Sequence, residues 1–189
     1  MALDLPDLHD RALAATRRYV AGVGGDQWTS PSPCEGWDVR ELVNHIVSGN
    51  FWAGALARGK TIDEVGDRFD GDVLGADPTA AYDESAGAAS EAFHAPGAME
   101  APCAVSYGPV PGEVYLGHRF VDVVVHGWDV AKATGQDTTL DPELVEACWT
   151  VIEPQKDLLL GSGAFGTNHE PEPGADRQTA LLELLGRTP

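Results

Sequence analysis

Basic residues are scarce: 12 Lys+Arg stand against 30 Asp+Glu, a formal charge of −18. A surface of that sign repels phosphate backbones and anionic bilayers, so neither nucleic acid nor membrane is an expected partner. Cysteine is nearly missing too. Cys34, Cys103 and Cys148 are far apart and in no CxxC spacing, which argues against a disulfide framework and a Cys-rich zinc site. Each reads as a small core or loop residue, and Cys34 stands out only because it lies just ahead of a well-signalled helix. No apolar run approaches the roughly 20 residues of a membrane span. The opening Met-Ala-Leu-Asp-Leu-Pro-Asp has neither the basic nor the apolar stretch of a secretory leader, and a cytosolic location is the expectation.

The chain does hold the material for a core. Hydrophobic residues make up 43% of the 189 and are spread along the chain, which predicts one globular domain over residues 1–189.

Proline, glycine and capping residues divide the sequence into helical stretches. Leu5, Leu8, Ala12, Ala15 and Tyr19 recur at helical spacing from Pro6 to about Val20, with Pro6 suited to a first turn. Asp38 and Glu41 form a capping-box pattern, with Trp37 and Leu42 placed as a hydrophobic staple. Val39, Leu42, Val43, Ile46 and Val47 then give that second helix a broad apolar face. From about Gly59 to Ala76 the chain reads as an acidic loop. Asp77-Pro78 opens an alanine-rich helix to about Phe93, and the proline- and glycine-rich run from Ala95 to Pro111 excludes regular helix. A fourth helix is predicted from about Gly112 to Thr134, stopped by Gly135. Its segment Val121-Asp122-Val123-Val124-Val125 would pass as a strand by propensity. The apolar positions Val114, Gly117, Phe120, Val121, Val124, Val125 and Trp128 keep helical spacing and favour helix. Asp141-Pro142 opens a fifth helix that Pro154 should end or kink, and a short helix around Thr179 to Leu185 closes the chain. Four long helices with such connections predict an all-α, up-down four-helix bundle with a short extra C-terminal helix.

On the fourth helix His118, Asp122 and His126 stand at i, i+4 and i+8, down one face. His45 borders the apolar face of the second helix. Bundles build metal sites from inward side chains on facing helices. His45, Asp122 and His126 are therefore the candidate ligands of a divalent metal. Two imidazoles and a carboxylate suit zinc, nickel or ferrous iron and leave coordination positions open, as a catalytic site requires. The competing reading makes the histidines ordinary core or edge residues. Against it, an unpaired carboxylate among four valines is costly and needs a cation or strong donors. His118 is a candidate for supporting or pocket-lining contacts. His9 reads as solvated, and His94 and His169 as surface loop residues, with His169 able to approach the site. Gly-Trp-Asp-Val occurs twice, at Gly36 to Val39 and Gly127 to Val130, too short to mark a repeat. Trp37 and Trp128 read mainly as packing residues.

The stretch from Cys34-Glu35-Gly36-Trp37-Asp38-Val39-Arg40-Glu41-Leu42 to His45, together with Asp122-Val123-Val124-Val125-His126-Gly127-Trp128-Asp129-Val130-Ala131, resembles the metal-binding domain of mycothiol-dependent maleylpyruvate isomerases, in the DinB/YfiT-like superfamily. The tail from Asp176-Arg177-Gln178 to Leu184-Leu185-Gly186-Arg187 looks like that of a short single-domain branch. The resemblance implies a DinB-like bundle with metal on His45, Asp122 and His126, zinc foremost and nickel or iron as alternatives. Asp122 stands where the characterised isomerase type carries a Glu. Relatives of this kind activate a low-molecular-weight thiol at the metal. The implied function is thus a metal-dependent S-transferase or isomerase acting on a mycothiol-type thiol and an electrophile. A non-catalytic metal-binding or partner-binding bundle is the alternative, and a vestigial site a third. A homodimer is compatible with the sequence, which does not set the oligomeric state.

Overall fold

The computed structural model describes residues 4–156 and 174–189. The described residues are mostly helical, with a small two-stranded sheet: α1 (Leu5–Ala21), α2 (Val39–Ala57), α3 (Ile62–Val65), α4 (Pro78–Phe93), β1 (Pro102–Val105), β2 (Gly108–Pro111), α5 (Gly112–Thr134), α6 (Pro142–Ile152) and α7 (Arg177–Leu184). Its internal contacts resolve two compact units, Met1–Gln136 and Asp137–Pro189. Among the described residues no helix is long and apolar enough to cross a membrane.

Local chemistry sets the helix ends. Asp38 accepts from the backbone N–H of Glu41 at 2.9 Å while Glu41 accepts from that of Asp38 at 2.9 Å, closing the capping box at the head of α2. Asp77 and Asp141 cap α4 and α6, each followed by a first-turn proline. Gly135, at φ +69°, ends α5 in the left-handed conformation that costs glycine nothing. Val121 to Val125 lie inside α5, so tertiary packing overrides their strand propensity.

The structure adds two elements to the expected helices. Within the stretch read as a loop, Thr61 and Glu64 form a second capping box and start the single turn α3. Between Ala95 and Pro111 the chain makes an antiparallel hairpin pairing Cys103 with Val110 and Val105 with Gly108.

In the first unit α1 and α2 each pack on α4 and α5, and the hairpin lies against α2 and α5. Val39, Leu42, Val43, Ile46 and Val47 of α2 and Leu116, Phe120, Val123 and Val124 of α5 belong to a core closed from water. The face that α1 buries is Leu5, His9, Ala12, Leu13, Thr16 and Val20. The helix is thus rotated from the face that Leu8, Ala15 and Tyr19 suggested. This corrects the reading of His9 as solvated: it is fully buried, edge-on to Phe93 at 5.9 Å. In the second unit α6 and α7 pack together, with Arg177 in a bidentate pair with Glu146 at 2.8 and 2.9 Å and over the Trp149 ring. Helix α6 ends at Ile152 and passes into a 3-10 turn containing Pro154, the stop the proline imposes.

Candidate metal centre

Helices α2 and α5 bring His45, Asp122 and His126 together. Oδ1 of Asp122 is 3.6 Å from Nε2 of His45 and 3.5 Å from Nε2 of His126. One donor atom from each of the three residues lies within 4.8 Å of the others. Donors held at about 2.0–2.2 Å from one tetrahedral ion stand roughly 3.3–3.6 Å apart, so both separations match a shared ion. Nε2 of His45 is also buried with no hydrogen-bond partner. A buried ring nitrogen without a partner costs free energy unless something occupies its lone pair or proton. Two nitrogens and one carboxylate oxygen are donors that zinc, nickel and ferrous iron accept. The residues fit a divalent cation.

The spacing of α5 extends this stripe in both directions. Arg119 precedes Asp122 by three, and its Nη1 donates to Oδ2 of Asp122 at 2.8 Å. The carboxylate therefore already has a cationic partner on one oxygen, and the need for a cation or strong donors is met in part within the chain. Asp129 follows His126 by three, and its Oδ2 accepts from Nδ1 of His126 at 2.9 Å. That contact fixes the imidazole plane and directs Nε2 toward Asp122. The thiol of Cys34 donates to the same Oδ2 at 3.3 Å and stands 3.7 Å from Nδ1 of His126. Cys34, His126 and Asp129 thus form a second convergent set, joined by hydrogen bonds on the far side of the ring.

These charges act on one another. Burial pushes the Asp122 carboxyl up, but Arg119 first and then His126 outweigh it and hold it well below the usual carboxylate range. Burial disfavours charge on His126, yet Asp122 and then Asp129 override it and raise the imidazole well above its ordinary value.

The ring of Trp37 lies 4.9 Å from that of His45 and 6.2 Å from that of His126. It walls the site, a role beyond the packing its sequence position suggested. Beside His45 a cavity of about 570 Å³ opens, lined by Trp37, Arg40, Glu41, Asn44, Ser48, Phe69, Asp70, Gly71 and Asp72. Polar side chains of α2 pin the segment that forms its far wall. Asn44 donates to the Gly71 carbonyl at 2.8 Å and Ser48 to that of Phe69 at 2.9 Å, while Arg40 pairs with Asp72 at 2.7 Å. Phe69 stacks on Phe51 at 5.1 Å, which gives the wall an apolar backing.

The other histidines are placed elsewhere. His118 lies one turn above Asp122, with Nδ1 2.7 Å from the hydroxyl of Tyr107 on the hairpin turn. His94 is exposed and pairs with Asp10 at 2.9 Å. His169 lies outside the described residues. Trp128 is buried, as read, and Cys103 and Cys148 are buried in the core. Sequence reasoning missed Arg119 and Asp129. Both were available as charged residues three positions from a proposed ligand on the same helix, the spacing at which helical side chains meet.

Comparison with known proteins gives one family. Residues 9–131 match the model described as mycothiol maleylpyruvate isomerase N-terminal domain. Two uncharacterized proteins of Mycobacterium tuberculosis, from strain CDC 1551 / Oshkosh and strain H37Rv, are each 38% identical over 188 residues, covering 95% of this chain and 96% of their own length. No solved structure matches the chain significantly.

Proposed function

From the premise that this chain belongs to the mycothiol maleylpyruvate isomerase N-terminal domain family, we propose that it is a DinB-like four-helix bundle in which His45, Asp122 and His126 hold a divalent metal, zinc foremost. We further propose that the centre serves a metal-dependent S-transferase or isomerase acting on a mycothiol-type thiol and an electrophile. The observation that carries this reading is the convergence of Asp122 Oδ1 on the Nε2 atoms of two histidines, one of them buried and without a hydrogen-bond partner.

A divalent cation held by His45, Asp122 and His126 would supply one piece of chemistry, the acidification of a thiol near neutral pH. The protein does the rest. Asp129 orients the His126 ring, and Arg119 holds Asp122 in place through its second oxygen. Trp37 shields both imidazoles from water on one side. The cavity beside His45 has the volume of a small-molecule site. Its walls carry hydroxyl, amide, carboxylate and guanidinium groups together with aromatic faces, which suits a polar ligand body rich in hydrogen-bonding groups. The Cys34 thiol is engaged by Asp129 behind the His126 ring and does not line this cavity, so a thiol supplied from outside is the economical reading.

The test is metal analysis of protein purified without added metal, combined with thiol-dependent consumption of a model electrophile. The expected result is one ion per chain and turnover that a chelator removes and zinc restores. Metal bound without any thiol-dependent turnover would favour a non-catalytic metal-binding protein. Full turnover by metal-free His126→Ala protein would end the proposed mechanism.

A further inference from the structure

A positive charge is built into the wall of this cation site. Arg119 keeps only 10% of its side chain exposed and pairs with Asp122, three residues on along α5. Its Nη1 donates to Oδ2 of Asp122 at 2.8 Å and its Nη2 to Oδ1 of Asn50 at 3.2 Å. The guanidinium is seated where α2 has Gly49. A Cβ there would stand 2.6 Å from Nη1, 2.7 Å from Nη2 and 2.8 Å from Cζ, so only glycine leaves the seat open. Asn50 is held in turn by Ser85, whose Oγ accepts at 3.4 Å and itself donates to the Tyr82 carbonyl at 3.0 Å. Three helices therefore cooperate to press one permanent cation against one oxygen of the candidate ligand.

For simple retention of a divalent ion this arrangement is adverse. It repels the ion and weakens the carboxylate as a donor. Its gain lies in the charge that remains. With Asp122 and Asp129 both ionised, a divalent ion on His45, Asp122 and His126 would be formally neutralised. Arg119 leaves the centre with a positive charge in excess. The same hydrogen bond engages Oδ2 and leaves Oδ1 facing the two histidines, which disfavours bidentate binding by Asp122.

We infer that Arg119 is the positioning residue that limits Asp122 to one ligating oxygen and offsets its charge, so that the metal centre takes an anionic exogenous ligand in preference to a neutral one. The inference rests on the metal reading above and deepens it.

The test uses the full chain loaded with zinc or cobalt and needs no enzyme assay. Zinc affinity is read by competition with a chromophoric chelator. Azide serves as the anionic probe, titrated against the visible bands of the cobalt form. Arg119→Gln keeps a donor but removes the charge. It should bind zinc roughly tenfold more tightly and azide roughly tenfold more weakly, as expected for loss of a partly buried neighbouring charge. Arg119→Lys, which restores the charge, should return both affinities toward the wild type. Gly49→Ala pushes the guanidinium off its seat without removing it, and should shift both affinities in the Arg119→Gln direction by less. It also keeps the test intact if circular dichroism shows that Arg119→Gln does not fold. A merely structural Arg119 gives the opposite pattern: zinc affinity falls in Arg119→Gln and Arg119→Lys alike, or azide affinity stays unchanged, and either result overturns the inference. A wild-type chain that takes up neither zinc nor cobalt overturns the metal reading itself.

Discussion

Nδ1 of His126 stands 2.9 Å from Oδ2 of Asp129, a side chain with no exposed surface, while Nε2 of the same ring faces Oδ1 of Asp122 at 3.5 Å. One imidazole thus joins a partly exposed carboxylate to a carboxylate in the core. In metal sites such a partner fixes the tautomer and ring plane, and its loss typically costs 10–100-fold in metal affinity or activity. Asp129→Ala should weaken zinc retention by about that factor while leaving the fold intact by circular dichroism. Unchanged zinc affinity would show that the pair serves packing alone.

Asp122→Asn is expected to act twice. It removes the charged donor shared by the two histidines, so metal content and thiol-dependent turnover should both fall. It also strands the buried Arg119 guanidinium. Breaking a fully buried pair costs about 3–5 kcal/mol, and the 18% exposure of Asp122 argues for a lower figure, about 2–4 kcal/mol. Urea denaturation of the metal-free protein measures this directly.

The α1–α5 contact tolerates no added atom at Gly127. A Cβ there would run into the Thr16 hydroxyl, which donates to the Val123 carbonyl at 3.1 Å. Gly127→Ala should destabilise the protein by about 1–3 kcal/mol, a fall in Tm of roughly 2–4 °C per kcal/mol for a chain of this size. In a Thr16→Ala background the same substitution should cost less, since the clashing group is gone. Strict additivity of the two changes would contradict the contact.

His9 makes an acid-stability prediction. Burial is the main cause that lowers its pKa to about 3, with Arg119 of α5 acting in the same direction, Asp10 opposing and His94 adding a small lowering effect. Its ring nitrogens have no hydrogen-bond partners. Above pH 6.5 the ring is neutral in both folded and unfolded chains and contributes no pH dependence. Below that value the unfolded chain gains a proton that the folded chain refuses. Stability should therefore fall by about 1.4 kcal/mol per pH unit between the ordinary histidine value and about pH 3. His9→Leu should remove that part of the slope. Parallel stability curves for the two proteins from pH 7 to 4.5 would sink the assignment.

Much of this helical fold, and the grouping of the candidate site, was legible in the sequence. Asp38 with Glu41, Asp77-Pro78, Asp141-Pro142 and Gly135 mark helix ends through local hydrogen bonding and backbone freedom, so they survive any tertiary context. His45, Asp122 and His126 stood out because imidazole and carboxylate beside apolar helical faces are chemically unusual. Less legible was anything that depends on which way a helix turns. His9 was misread because α1 offers two plausible faces, and only packing on α4 and α5 selects the one containing it. Arg119 is a similar case. Nothing local in the sequence says that an arginine beside Leu116, Phe120 and Val121 is buried, because the room for it is left by Gly49 on another helix. The hairpin escaped because Pro102, Pro109 and Pro111 speak against strand as strongly as against helix. A two-stranded pairing tolerates them, since few ladder N–H groups are needed.

Arg119, Asp122, His126 and Asp129 follow one another along α5 at intervals of three, four and three, whereas His45 comes from α2. The α5 groups keep their mutual spacing wherever that helix is formed. The His45 contact exists only when α2 is docked on α5. A ligand bridging the two helices would therefore act as a clasp on folding itself, drawing its binding energy from the docked state and withholding it from the undocked one. By linkage, an ion at a hundredfold excess over its Kd stabilises such a state by about 2.7 kcal/mol. The supply of metal would then govern how long the chain survives as a folded molecule, independently of any reaction carried out at the site.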